Sequence, residues 1–161
     1  MHFRSLLAAL LIAAMGPVQA GPKSFAGVWA IEQCDVEAAR QPCGGFTLVL
    51  VQQGDRLCGN HFAATPNFSR VDEGAPTSVI GTVLGKDAVL FVASGRDPTS
   101  YLARATLLKD GLAWRLVEQL NDGGLVGAPV IALNETLHRK NAEKKLAQAA
   151  SACASHFKVL P

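Results

Sequence analysis

The chain has 161 residues, with 15 basic and 13 acidic side chains, a formal charge of +2 and 49% hydrophobic residues. That length is one ordinary domain with enough chain to bury a core of its own. The nearly even charge supplies no summed field to recruit nucleic acid or anionic lipid, so nucleic-acid binding is not expected.

The opening stretch MHFRSLLAALLIAAMGPVQA, residues 1–20, has a basic start at Arg4, an apolar core from Leu6 to Met15, and Val18 and Ala20 at its end. This is the pattern of a secretory signal peptide with its cleavage site. The apolar core is about ten residues, short of the roughly 20 needed to cross a bilayer, so no membrane insertion is expected. The mature protein is expected to run over 21–161 as a single domain, secreted or periplasmic.

All cysteines, Cys34, Cys43, Cys58 and Cys153, lie in that exported part, and an even count in an oxidising compartment reads as two disulfides. Cys34 with Cys43 is the preferred pair because they bracket a loop between strand-like runs, which leaves Cys58 with Cys153. Metal binding is the weaker reading: Cys58 and His61 form the one close ligand pair, with no second pair to complete a tetrahedron. No cofactor is expected.

From Phe25 onward the sequence reads as eight β runs: FAGVWAIEQ, FTLVLVQQ, RLCGNHFAA, TSVIGTVL, AVLFVAS, YLARATLL, LAWRLVEQL and APVIALNET. Between them lie Gly54-Asp55, Gly85-Lys86-Asp87, Lys109-Asp110-Gly111 and Asn121-Asp122-Gly123-Gly124, the residue types of tight hairpins. A meander of that length has two exposed edges unless it closes. The expected fold is therefore all-β, an eight-stranded antiparallel up-and-down barrel or strongly curled meander with a C-terminal α-helix.

Alternation places Gly27, Trp29 and Ile31 on one face of the first strand, and Leu112, Trp114, Leu116 and Leu120 on one face of the seventh, opposite Arg115 and Gln119. Both tryptophans then point inward and seek partners for their indole N–H groups. Phe46 to Val51 is apolar throughout, which predicts cover on both faces. The cover on the outside is expected from the tail, where Ala142, Leu146, Ala149, Ala150, Cys153 and Phe157 fall at helical spacing; the helix is expected over about 137–156.

Gly27-Val28-Trp29 on the opening strand, with Leu137-His138-Arg139 after the last, resembles the Gly-x-Trp and late arginine of lipocalin-type barrels. The resemblance implies a binder of small apolar ligands or of proteins, with Arg139 packed on Trp29 at the closed end. A second stretch, ASGRDPTSY, is similar to the loop that small periplasmic lysozyme inhibitors insert into the lysozyme cleft; it places Ser94, Arg96 and Tyr101 in a partner-binding role.

The polar stretch LCGNHFAATPNFSRVDEG, Leu57 to Gly74, gathers a cysteine, a histidine, an arginine and two carboxylates without forming an evident catalytic set. On a strand His61 shares a face with Gly59 and Ala63 and lies opposite Cys58. Asp72 and Glu73 are adjacent and point apart, whereas Arg70 and Asp72 share a side and are expected to pair at the surface. Residues Thr65 to Thr77, with Pro66, Gly74 and Pro76, read as a long loop, the usual seat of binding residues. No Ser-His-Asp arrangement, phosphate-cradling loop or metal cluster stands out, and no enzyme activity is expected.

Two functions follow from this reading. One is a non-catalytic inhibitor or immunity-type protein that meets a cell-wall hydrolase through exposed Arg70, Asp72, Glu73, Ser94, Arg96 and Tyr101. The other is a lipocalin-like carrier of a small apolar ligand, for which the small inward residues Gly27, Gly81 and Ala103 leave room. A carrier requires an apolar cavity, an inhibitor a packed interior and polar loops.

Overall fold

A computed structural model describes residues 24–35, 41–121 and 128–158, so the expected signal segment lies outside the described residues. The strands are β1 (Gly27–Gln33), β2 (Gly44–Gln53), β3 (Arg56–Ala64), β4 (Val71–Glu73), β5 (Val79–Leu84), β6 (Asp87–Ala93), β7 (Ser100–Leu107), β8 (Leu112–Asn121) and β9 (Asn134–Lys140), followed by the helix α1 (Glu143–Lys158). All pair antiparallel with their neighbours, and β9 returns to β1. Eight strands thus close into a barrel, and β4 is a short addition along the end of β3. β3 serves both neighbours in turn: Arg56–Gly59 pair with β5, and Phe62–Ala64 with β4.

The turns that set this register are two-residue hairpins. Gln53 faces Arg56, and Leu84 faces Asp87, with Gly54 and Gly85 at φ 58° and 68° between them. Those left-handed angles cost glycine nothing, and they match the right-handed twist of the flanking strands.

Side chains fill the interior. Trp29, Phe46, Leu48, Leu50, Leu90 and Trp114 are all buried in one cluster, and the rings of Phe46 and Trp114 lie 5.0 Å apart. Both indoles meet backbone acceptors, Trp29 Nε1–H donating to the Phe25 carbonyl and Trp114 Nε1–H to that of Ala132, each at 2.8 Å. Burying these rings without a lost hydrogen bond is what makes them effective core residues.

The outer face of β2 is covered as its unbroken apolar run requires. Val28, Val49 and Ala149 form a second buried cluster, flanked by Val51, Ala142 and Leu146, between the barrel and α1. Cys58 faces outward on β3 and is bonded to Cys153 on the buried stripe of α1, with Cα atoms 5.8 Å apart; Cys34 is bonded to Cys43. Arg56 secures the far end of the helix by donating to the His156 and Phe157 carbonyls, which the helix dipole makes good acceptors. Among the described residues, no helix is long and apolar enough to cross a membrane.

Three expectations need correction. The last strand begins at Asn134 and runs through Leu137, His138 and Arg139 to Lys140, so the helix starts at Glu143 and not near 137. Ile131 and Ala132, expected in that strand, are buried ahead of it. In β8 the register shifts twice, leaving Val117 and Leu120 without partners opposite β7. The extra residue Val117 reverses the inward–outward parity, so Leu120 is 49% exposed and Gln119, itself exposed, lines a cleft at the barrel end.

Candidate functional site

One end of the barrel is built from the end of β3, β4, the turn before β5, and the β6–β7 loop. His61 projects inward from β3 and is 1% exposed, and Asp72 of β4 is 3% exposed. They meet with His61 Nε2 3.1 Å from Asp72 Oδ1. The other imidazole nitrogen, Nδ1, lies 3.3 Å from the Ser78 hydroxyl. A Cβ on Gly74 would sit 2.1 Å from that hydroxyl oxygen and 2.5 Å from Nδ1, so no larger residue fits over the pair.

Asp72 also holds the opposite loop. Its Oδ2 accepts the Ser94 hydroxyl at 2.7 Å, and its Oδ1 accepts the Gly95 N–H at 2.8 Å. Burial pushes the Asp72 pKa up, but the hydrogen bonds from His61, Ser94 and Gly95 and the attraction of His61 outweigh it and hold the carboxyl below its usual 3.8. The Ser94 hydroxyl oxygen in turn accepts the N–H of Arg96 at 3.1 Å and of Asp97 at 3.3 Å, and Asp97 Oδ1 accepts the Thr99 N–H at 3.0 Å. The β6–β7 loop is thus fixed from within as well as from Asp72.

Ser78, His61 and Asp72 therefore stand in a row that the sequence did not disclose. With the hydroxyl and imidazole sealed from solvent and Gly74 packed against both, the row acts as a staple between β3, β4 and the turn before β5. Its polar atoms satisfy each other, which is the condition for burying them.

Over this staple opens a cleft of about 220 Å³, lined by Arg70, Asp72, Arg96, Asp97, Tyr101 and Gln119, among others. The structure thus brings together Arg70, Asp72, Arg96 and Tyr101 from the expected partner-binding set, with Ser94 supporting them through Asp72. Glu73 is exposed and lines a separate groove beside α1. Two expectations fail here. Asp72 and Tyr101, expected at the surface, are 3% and 5% exposed. The expected Arg70–Asp72 ion pair is absent: Arg70 Nη1 donates instead to the Ala128 carbonyl at 3.1 Å. Burial raises the Tyr101 pKa, with the charges of Asp97 and Asp72 adding to it and Thr99 and Arg96 acting against it.

Sequence reasoning missed His61, Ser78 and Gln119. The parity of β3 does place His61 inward, but its partners come from β4 and the following turn, whose pairing no local pattern signals. The stretch Pro66–Phe68 before β4 is a single 3-10 turn in which Asn67 and Phe68 take φ of 59° and 56°. It is held by Asn67 N–H on the Pro42 carbonyl, Phe68 N–H on that of Thr65 and Ser69 N–H on the Asn67 side chain. This keeps Arg70 on the cleft wall. No group of three or more metal-ligating side chains occurs among the described residues. Comparison with family models, with curated proteins and with solved structures finds no match.

Proposed function

We propose that the protein is a non-catalytic, secreted or periplasmic binding protein, an inhibitor or immunity-type module whose barrel rim engages a protein partner, a cell-wall hydrolase. The observation that carries this reading is the combination of a filled interior with a fixed rim cleft. Trp29, Phe46 and Trp114 occupy the space that a lipocalin-like carrier would need to leave open. At the rim, Asp72 and Ser94 hold the β6–β7 loop in place before any partner arrives, which removes much of the ordering cost of association. Arg96 at its tip is exposed, and arginine is among the residue types that dominate interface energetics.

Kinship with lipocalin-type barrels belongs to the same proposal, supported by the eight-stranded closure and by Arg139 stacked on Trp29. The likeness to lysozyme-inhibitor loops is supported by the position of Ser94-Gly95-Arg96 at the cleft. The test is the rate of cell-wall lysis by a lysozyme with and without a stoichiometric amount of the protein. Inhibition by the native chain, weakened about 30-fold when Arg70 and Arg96 are both replaced by Ala, is the expected result, equivalent to about 2 kcal/mol. Retention of a small lipophilic compound without any effect on lysis would instead decide for the carrier.

A further inference from the structure

We propose that the rim cleft binds a carboxylate between Arg70 and Arg96, supplied by an acidic side chain of the protein partner. This rests on the binding-protein reading above and names what the cleft holds. The two arginines come from separate segments, one just before β4 and one in the β6–β7 loop, and line the same space. Among the described residues the ion pairs are His61–Asp72 and Arg104–Asp87, so neither cleft arginine has a carboxylate within pairing distance. Arg70 spends one Nη1 proton on the Ala128 carbonyl and keeps the rest of its fork. The Arg96 guanidinium makes no hydrogen bond among the described residues.

The carboxylates of the cleft are already engaged. Both Asp72 oxygens accept hydrogen bonds from His61, Ser94 and Gly95, and Asp97 Oδ1 accepts from Thr99. Asp72 is also almost wholly buried, while Arg96 is exposed. An approaching ligand therefore meets the Arg96 guanidinium and the remaining donors of Arg70, and planar donors of this kind match a carboxylate in two-point geometry. In a partly enclosed cleft that attraction exceeds its value in open water.

Charge and size narrow the ligand. Asp72 and Asp97 offset the charges of Arg70 and Arg96, so the cleft lining has no net positive charge to favour a dianionic phosphate over a monoanionic carboxylate. The cleft is also smaller than the roughly 300 Å³ at which drug-sized ligand pockets begin, and suits one inserted side chain.

The experiment is an NMR titration of the full exported chain, reading the Gly95 amide and the Arg70 and Arg96 Nε–H signals. The probes are the blocked tripeptide acetyl-Gly-Glu-Gly-amide, its Gln counterpart, sodium acetate and inorganic phosphate. Saturable shifts with the Glu peptide, at least tenfold weaker with the Gln peptide, are expected. They should be lost in Arg70→Gln/Arg96→Gln while the melting temperature stays that of the native chain. Equal response to the Glu and Gln peptides, or response to neither, overturns the proposal. Tighter binding of phosphate overturns the carboxylate, and tighter binding of acetate than of the Glu peptide overturns the partner side chain as its source. No hydrolase enters this titration, so failure of the lysis assay leaves its result standing. A failed titration, conversely, leaves room for inhibition through another surface.

Discussion

The guanidinium of Arg139 lies over the indole of Trp29, its Cζ 4.3 Å from the ring centroid, at the barrel end opposite the cleft. It also donates to the Ala26 and Ser24 carbonyls at 2.9 and 3.1 Å, tying β9 to the chain that enters β1. Gly27 makes this approach possible: a Cβ there would stand 2.5 Å from Arg139 Nη1, and its φ of 150° is one that L side chains rarely adopt. Arg139→Ala should cost about 1 to 2 kcal/mol through the lost cation–π contact and hydrogen bonds. Gly27→Ala should lower stability as well, since it strains the backbone and displaces the same guanidinium. Urea midpoints of the two variants and of their combination check this; if the costs simply add, the two residues do not act on one contact.

Trp29 and Trp114 should behave as packed core residues. Truncating either to Ala is expected to cost about 3 to 5 kcal/mol, because each leaves a cavity and an unpaired carbonyl in the barrel. Equilibrium unfolding of each variant measures the loss. A Trp114→Ala protein that unfolds with the native midpoint would show that Phe46 and Ala132 do not depend on it.

The disulfides stabilise by different amounts. Cys58–Cys153 spans 95 residues and Cys34–Cys43 spans 9. Chain entropy alone gives about 4.5 kcal/mol for the first and about 2.5 kcal/mol for the second. Replacing Cys58 and Cys153 by Ala should thus destabilise the more, and should also loosen α1 from Val28 and Val49. Amide exchange across Glu143–Lys158 reads the loosening directly.

Much of this fold is legible in the sequence because it rests on local signals. Period-two alternation identifies the inward tryptophans, the unbroken run in β2 calls for two-sided cover, and the position of Cys153 on an apolar helical stripe predicts its bond. What escapes depends on non-local pairing or on a change of parity. The three residues of β4 carry no period, so the burial of Asp72 follows from its pairing with β3 and its meeting with His61. The extra residue Val117 inverts the faces of β8 and brings Gln119 to the cleft. Leu133 and Leu137 are four apart, a spacing that suits a helix as well as it suits a strand, and the boundary of β9 is lost in that ambiguity.

Asp72 sets an acid limit on stability. Its folded pKa is depressed below 3.8, so the carboxylate contributes stability that is fully present above the unfolded value and is lost as pH falls through the folded value. Asp72→Asn should cost about 2 kcal/mol near neutral pH, since the amide supports fewer of the donors gathered around it. The gap between variant and native midpoints should then narrow as pH drops below about 4. A gap that stays constant down to pH 2 would mean that the charge of Asp72 is not what holds His61 and the Ser94 loop.

Arg96 and Tyr101 sit on the same cleft but answer to different forces, and single substitutions should separate them. Tyr101 is buried against the core cluster, so Tyr101→Ala should cost about 3 kcal/mol in stability and impair binding indirectly, by loosening the cleft wall. Arg96 is exposed and its guanidinium makes no hydrogen bond among the described residues, so Arg96→Ala should leave the unfolding midpoint within about 0.5 kcal/mol of native. If the cleft is the binding surface, that stable variant should still lose at least tenfold in hydrolase inhibition. Arg96→Lys should recover part of it, because the charge is kept while the two-point fork is lost. A result in which Tyr101→Ala abolishes inhibition while Arg96→Ala does not would show that the shape of the rim, and not the guanidinium at its tip, is what a partner reads.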